Sequence, residues 1–142
     1  MKALYLETSA VLTWLLGEPR AAEVILIVNR ARNIATSGLA ILETQRALVR
    51  AETQRLLSPV ETQQLMGLLA RSQAGWLIME ISAEVRQLAG SRFPIEPVRT
   101  LDAIHLATAL VFSRAFPSLS LLSYDRSILE NARALGIHCA VR

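Results

Sequence analysis

The sequence predicts an α/β protein: a three-layer α/β/α sandwich around a central, mostly parallel sheet of about five strands. Two observations carry this expectation. Short apolar runs alternate with capped, amphipathic segments from one end of the chain to the other. The composition is 52% hydrophobic and 19% charged over 142 residues, which suits one well-filled core and excludes a disordered tail. A chain of this size buries roughly 68–70% of its unfolded surface. Residues 1–142 therefore read as a single domain, with no repeat, linker or low-complexity stretch.

The elements follow in order. Ala3 to Leu6 is a short apolar strand. Thr8 or Ser9 then caps a helix to Leu16, closed by Gly17 and Pro19. Arg20 to Arg32 is a second helix, with Ala21, Val24, Ile25 and Val28 at helical spacing. Ile34 to Ser37 is a strand, and Leu39 to Arg55 a helix. Ser58-Pro59 opens the next helix, Ser as cap and Pro at the first helical position, running to about Ser72. Trp76 to Ile81 is expected as a buried strand, after which Ser82 caps a helix to about Ala89. Phe93 to Val98, with Pro94 and Pro97, is a loop. Thr100 is expected to cap a helix to about Phe112, followed by a strand from Leu119 to Ser123. Arg126 to Leu135 is a helix closed by Gly136, and Ile137 to Val141 a last strand.

Composition narrows the chemistry. The chain has 15 bases and 12 acids, a net charge of +3. Lys2 is the only lysine, so a mechanism built on a buried lysine is nearly excluded. Cys139 is the only cysteine, and with His105 and His138 it cannot build a zinc cluster or an internal disulfide. A reducing cytoplasm fits. Any metal would need mostly oxygen ligands, which points to Mg²⁺ or Mn²⁺. No apolar run is long enough to span a membrane, and Glu7 interrupts the apolar opening segment that would otherwise resemble a signal peptide.

The acids are placed unevenly. In a parallel sheet, ligands bind outside the carboxyl ends of the strands, at a switch point in strand order. Glu7 directly follows the first strand, and Asp125 directly follows the Leu119–Ser123 strand. Glu43 lies in the helix after the second strand, and Asp102 in the first turn of the helix leading to the Leu119–Ser123 strand. All four map to one edge. Each has a plainer reading: Asp102 complements a helix dipole, Asp125 is an N-cap, and Glu43 is a solvated helix residue. Glu7 is harder to dismiss, because a carboxylate ending an apolar strand is costly unless paired, exposed or metal-bound. Gathered carboxylates also repel one another without a cation. Glu84 lies at the same edge, but Ser82 and Glu84 read simply as a capped helix start.

Such a cluster suits one or two hard cations. Two ions about 3.5–4 Å apart can clamp the attacking and leaving oxygens of a displacement at phosphorus. The matching reaction is phosphodiester hydrolysis by a metal-activated water. With those four of the twelve acids set aside, eight remain against 15 bases, a balance that favours a polyanion. Arg46, Arg50, Arg99 and Arg126 flank the same segments, and arginine binds phosphate through two parallel donors, although each also reads as an ordinary surface residue. Ser9 and Ser123 adjoin Glu7 and Asp125. With Arg46, Arg99 and Arg126 they are candidate substrate contacts, or else caps and turn residues. His105, one turn after Asp102, reads more readily as a satisfied core histidine than as a partner of the acids. Trp14 and Trp76 read as core or interface.

These segments resemble a known family. Tyr5-Leu6-Glu7-Thr8-Ser9-Ala10 is similar to the opening motif of PIN domains, a strand ending in Asp-Thr/Ser-Ser. Leu42-Glu43-Thr44-Gln45-Arg46-Ala47-Leu48 looks like their second motif. Arg99-Thr100-Leu101-Asp102-Ala103-Ile104-His105-Leu106-Ala107-Thr108-Ala109 resembles the third and is the most specific. Ser123-Tyr124-Asp125-Arg126, with Ala132 to Gly136, resembles the fourth. The match spans the chain in order and looks most like the VapC-like toxins of bacterial toxin–antitoxin pairs. The resemblance implies a Mg²⁺- or Mn²⁺-dependent endoribonuclease, usually a homodimer, inhibited by a small cognate antitoxin. The family's acids carry over to Glu43, Asp102 and Asp125. The first motif departs, with Glu7 where the family has Asp, so its arm is one methylene longer. Ser123 stands where Thr is common.

Two other readings compete. A catalytically weakened PIN-like module acting through its protein partner is kept open by Glu7. A phospho-acceptor receiver domain would want an acidic pair after the first strand and a lysine near the last, and the chain has neither.

Overall fold

The computed structural model describes residues 3–142; Met1 and Lys2, the head of the apolar opening segment, lie outside the described residues. Five strands are present among the described residues: β1 (Ala3–Leu6), β2 (Asn33–Ser37), β3 (Leu77–Met79), β4 (Ser120–Leu122) and β5 (His138–Cys139). Seven helices accompany them: α1 (Thr8–Leu15), α2 (Ala21–Arg30), α3 (Gly38–Thr53), α4 (Pro59–Gln73), α5 (Ala83–Ala89), α6 (Thr100–Ala115) and α7 (Arg126–Ala134). The predicted α/β architecture holds. No helix among the described residues is long and apolar enough to cross a membrane.

All strand pairs are parallel, in the order β3-β2-β1-β4-β5. Parallel strands covered on both faces read as continuous apolar runs, and β1 and β4 do so. Every residue of β1 is buried, with Leu4 and Tyr5 fully so, and Leu121 and Leu122 of β4 are likewise inaccessible. Helices α1 to α4 pack as one set and α5 to α7 as another. Right-handed crossovers put these sets on opposite faces, because the chain steps from β1 to β3 in one direction and then returns to β4 on the far side of β1. The order therefore reverses between β1 and β4, which is the switch point where a crevice opens.

The caps are partly as expected. Ser58 and Glu61 form a reciprocal capping box at α4, Ser82 caps α5, and Asp125 caps α7. Gly17 and Gly136 adopt positive φ (62° and 82°), the left-handed conformation that ends a helix. Two expected caps are absent. Glu7, not Thr8 or Ser9, occupies the N-cap of α1, and makes no side-chain cap bond. The Thr8 and Ser9 hydroxyls instead bond Glu43 and Glu7. Arg99, not Thr100, occupies the N-cap of α6, where the preceding loop arrives extended. That helix continues past Phe112 to Ala115, until Pro117 halts it.

The third strand is also corrected. Expected as buried, β3 leaves Leu77 and Ile78 40% and 36% exposed. It is one of the sheet's two edge strands, with a single neighbour, so periodicity could not reveal its exposure. In α2 the buried residues are Val24 and Ile27, while Ile25 faces out.

Leu121 pairs with Tyr5 on one side and Cys139 on the other, and is fully buried. Leu121→Ala should cost about 2–5 kcal/mol of unfolding free energy, read from urea denaturation followed by circular dichroism. A loss well below that range would mean that β4 is not the packed centre of the sheet.

Candidate active site

The crevice at the β1/β4 switch point is a cleft of about 400 Å³ whose lining includes Glu7, Glu43, Asp102 and Asp125. Each acid arrives there from a different element. The apolar β1 ends at Leu6, and its ladder runs one residue further, Glu7 N–H donating to the Leu122 carbonyl at 3.1 Å. Glu7 is thereby held beside the end of β4, with only 5% of its surface exposed. A carboxylate so desolvated needs donors. Oε1 accepts from Ser9 Oγ at 2.5 Å and from Ser123 Oγ at 2.6 Å. Both hydroxyls are aimed by backbone amides, since Ser9 Oγ accepts from Tyr124 N–H and Ser123 Oγ from Asp125 N–H.

Glu43 projects from α3 and is held in a similar way. Its Oε1 accepts from Thr8 Oγ1 at 2.7 Å and lies 2.6 Å from His105 Nε2. Burial opposes ionisation of Glu43, but the bonds to His105 and Thr8 outweigh it and hold the carboxyl below its ordinary range. Behind it, His105 and Tyr5 are buried and joined at 2.9 Å. Burial, followed by the charges of Glu7 and Glu43, raises the Tyr5 hydroxyl well above the usual phenol range.

Asp102 sits in the first turn of α6, its side chain 13% exposed, with Arg99 Nε 3.6 Å away. Burial and then the nearby charge of Asp125 raise its pKa, and Arg99 only partly offsets them. The aspartates therefore feel each other across the cleft, and a cation there would relieve the repulsion. Asp125 uses Oδ1 to cap α7 through Ile128 N–H.

A pattern runs through these contacts. Glu7, Glu43 and Asp125 each engage one carboxylate oxygen with the protein, and the second has no hydrogen-bond partner among the described residues. Among the described residues no buried side-chain polar atom is left unpaired, so the second oxygen of Glu7 keeps some contact with solvent. Free oxygens around a cleft are the donor set a hard cation takes. The acids do not close into a compact cage, however. Among the described residues no three His, Cys, Asp or Glu side chains converge on one point. The set thus fits an ion that retains several waters, as Mg²⁺ does, rather than an all-protein shell.

The arginines divide. Arg99 lines the acid cleft, whereas Arg46 lines an adjoining groove with Arg50, Leu42 and Leu101. The two depressions share Thr8, Leu12, Glu43 and Leu101, so they are continuous. Arg126 is 91% exposed and pairs with Glu130 at 2.8 Å, outside the cleft. Ser9 and Ser123 face Glu7, with their protons directed to it. Glu84 pairs with Arg114 on the surface, in keeping with its reading as a helix-start residue. Trp14 and Trp76 line a separate apolar cavity of about 180 Å³.

Tyr5 and Thr8 were not anticipated from the sequence, whereas His105, read more readily as a satisfied core histidine than as a partner of the acids, is both buried and the partner of Glu43. A signal for Tyr5 existed. It lies two residues before Glu7, and residues i and i+2 of a strand share a face. Tyr124 was also missed. Its hydroxyl bonds Glu23 at 2.7 Å and its ring lies 4.2 Å beneath the Arg20 guanidinium, fastening α2 to the loop that carries Asp125. Burial, then the bond to Glu23 and its charge, push that phenol up to about 12.

Comparison with known proteins places this geometry. The PIN domain family model matches residues 4–134. Ribonuclease VapC46 of Mycobacterium tuberculosis is 33% identical over 138 residues, covering 96% of this chain and 95% of that protein. Ribonuclease VapC35 of the same organism is 41% identical over a 58-residue stretch. Among solved structures, FitAcB from Neisseria gonorrhoeae superposes with a TM-score of 0.68 at 14% identity, over 96% of this chain and 95% of that one. VapC20 of Mycobacterium tuberculosis, described as a sarcin-ricin loop cleaving toxin, gives a TM-score of 0.65 at 16% identity, over 94% and 95%. At such identities these structures speak to the fold, whereas the family match and VapC46 extend nearly end to end; the chain belongs to the PIN-domain family, among its VapC-like ribonuclease toxins.

Proposed function

We propose that this protein is a Mg²⁺- or Mn²⁺-dependent endoribonuclease that hydrolyses RNA phosphodiester bonds. The observation that carries the reading is the cleft at the β1/β4 switch point, where Glu7, Glu43 and Asp125 each keep one carboxylate oxygen free beside Asp102. Glu7, Glu43, Asp102 and Asp125 would share one or two ions, each ion taking few of them directly and keeping water for the rest of its shell. A divalent cation, when bound, supplies Lewis-acid neutralisation of charge developing at phosphorus and an acidified water.

The chain's own residues do the remainder. Ser9 and Ser123 bind one oxygen of Glu7 and orient it, which accommodates the longer arm that Glu has over the family's Asp. Thr8 and His105 do the same for Glu43. Arg99 at the cleft, and Arg46 and Arg50 along the adjoining groove, suit backbone phosphates as bidentate donors. Arg126, turned toward Glu130, is a weaker candidate.

The whole chain, residues 1–142, acts as one nuclease domain in this reading. It is the toxin of a toxin–antitoxin pair in the cytoplasm, forming a homodimer and silenced by a cognate antitoxin. Support for the partner comes from the structural relatives, which include VapBC2 of Rickettsia felis bound with DNA from its promoter, and FitAB bound to DNA. The weakened-module alternative draws on the open arrangement of the acids among the described residues.

Three outcomes test the proposal. Asp102→Asn should reduce Mn²⁺-dependent cleavage of a fluorogenic RNA by more than about 100-fold, beyond the usual loss for an outer-shell partner. Absence of Mn²⁺-dependent cleavage by the wild-type protein would favour the binding module. Glu7→Gln preserves shape but removes charge, so its Mn²⁺ affinity by calorimetry should fall at least about tenfold; unchanged affinity would remove Glu7 from the ligand set. Replacing both Arg46 and Arg50 by Ala should chiefly raise KM. It should also flatten the log–log salt dependence of RNA affinity by about 0.7 per lost phosphate contact. An unaltered slope would place the RNA elsewhere.

A further inference from the structure

Behind Glu43 lies a line of buried polar contacts that the proposed reaction does not use. Tyr5 is fully buried and His105 is 1% exposed, yet both carry hydrogen-bonding groups. Tyr5 Oη lies 2.9 Å from His105 Nδ1, and His105 Nε2 lies 2.6 Å from Glu43 Oε1. We propose that Tyr5 and His105 are positioning residues: the phenol anchors the imidazole, whose Nε2–H binds Glu43 Oε1 and so turns the other carboxylate oxygen to the cleft. The inference rests on the reading of Glu43 as a metal ligand.

Donor and acceptor accounting leads to this arrangement. An ionised carboxylate only accepts, so a lone pair on Nε2 at this distance would repel it, and Nε2 must carry a proton. In the neutral ring, Nδ1 then holds a lone pair that needs a donor. The Tyr5 hydroxyl is in reach. The two threonines beside the phenol, Thr36 and Thr108, give their own protons to the carbonyls of Leu6 and Ile104. They therefore give the phenol no proton, and the hydrogen bond that Tyr5 Oη makes among the described residues is the one to His105 Nδ1, where its own proton goes. Thr8 Oγ1 adds a second donor to the same Glu43 oxygen at 2.7 Å. With Oε1 doubly engaged, Oε2 has no hydrogen-bond partner among the described residues.

A packing role alone would need only the Tyr5 ring, which meets His105 edge-on and Phe112 at a tilt, each at 6.2 Å between centroids. Tyr5→Phe keeps that ring and deletes the hydroxyl. Two measurements separate the roles. In metal-free wild-type protein, ¹⁵N chemical shifts of His105 distinguish a protonated from a lone-pair nitrogen. Calorimetric Mn²⁺ titration then compares wild type, Tyr5→Phe and Asp102→Asn, with thermal unfolding as the control for folding.

The expected results are an N–H at Nε2 and a Mn²⁺ Kd about tenfold higher in a cooperatively folded Tyr5→Phe, the low end for partners behind a metal ligand. A lone pair at Nε2 would overturn the inference, as would wild-type Mn²⁺ affinity in Tyr5→Phe. In the latter case, lost binding in Asp102→Asn would leave the metal-site reading standing. No Mn²⁺ binding by wild type would overturn both. Should Tyr5→Phe fail to fold, the wild-type ¹⁵N spectrum decides alone.

Discussion

Pairing of β1 with β4 is the constraint on which the site depends. The two strands are more than 110 residues apart in the chain, yet Leu6 stands opposite Leu122 and the Glu7 amide bonds the Leu122 carbonyl. That register puts Ser123 against Glu7 and sends the chain into α7 with Asp125 as its cap. A side chain's face alternates along a strand, so a slip of one residue would turn Tyr5 and Glu7 to the opposite layer of helices. The apolar burial of both strands opposes such a slip, and the core thereby sets the geometry of the acids.

A second constraint is electrostatic. Carboxylates brought together at a partly desolvated edge oppose one another, as the raised pKa of Asp102 records. The protein answers this locally, with different donors for each acid: paired serine hydroxyls at Glu7, a threonine and histidine at Glu43, an arginine at Asp102, a helix terminus at Asp125. None of these donors fills both oxygens of Glu7, Glu43 or Asp125. The residual negative charge is concentrated in the cleft, while Arg46 and Arg50 sit beside it along the continuous groove. Negative at the centre and positive beside it is the field expected where a cation and a polyanion meet.

The hydroxyl groups show how local rules yield to tertiary ones. Thr8 and Ser9 follow a strand and precede a helix, the position where such residues usually cap. Both instead donate to carboxylates, Thr8 to one that is 35 positions away. A capping preference is worth about 1 kcal/mol, less than leaving a buried carboxylate without donors. Glu7 accordingly occupies the N-cap without capping anything. Similarly, Arg126 adjoins Asp125 in sequence, but the first turn of α7 carries its side chain away toward Glu130.

The alternation of apolar runs with capped helical segments was legible in the residues themselves, and with it the α/β class, the extent of β1 and the positions of the acids at one sheet edge. These follow from periodicity and strand ends, which are local properties. Strand order was not legible, nor was the edge position of β3, because pairing joins segments far apart in the chain. The same holds for the side chains. Sequence put His105 one turn from Asp102, but its partners, Tyr5 and Glu43, are 100 and 62 positions away. Local sequence determined which groups reach the cleft; only the packed tertiary structure decided which oxygen of each carboxylate is held and which is left free, because that choice belongs to donors supplied across the sheet.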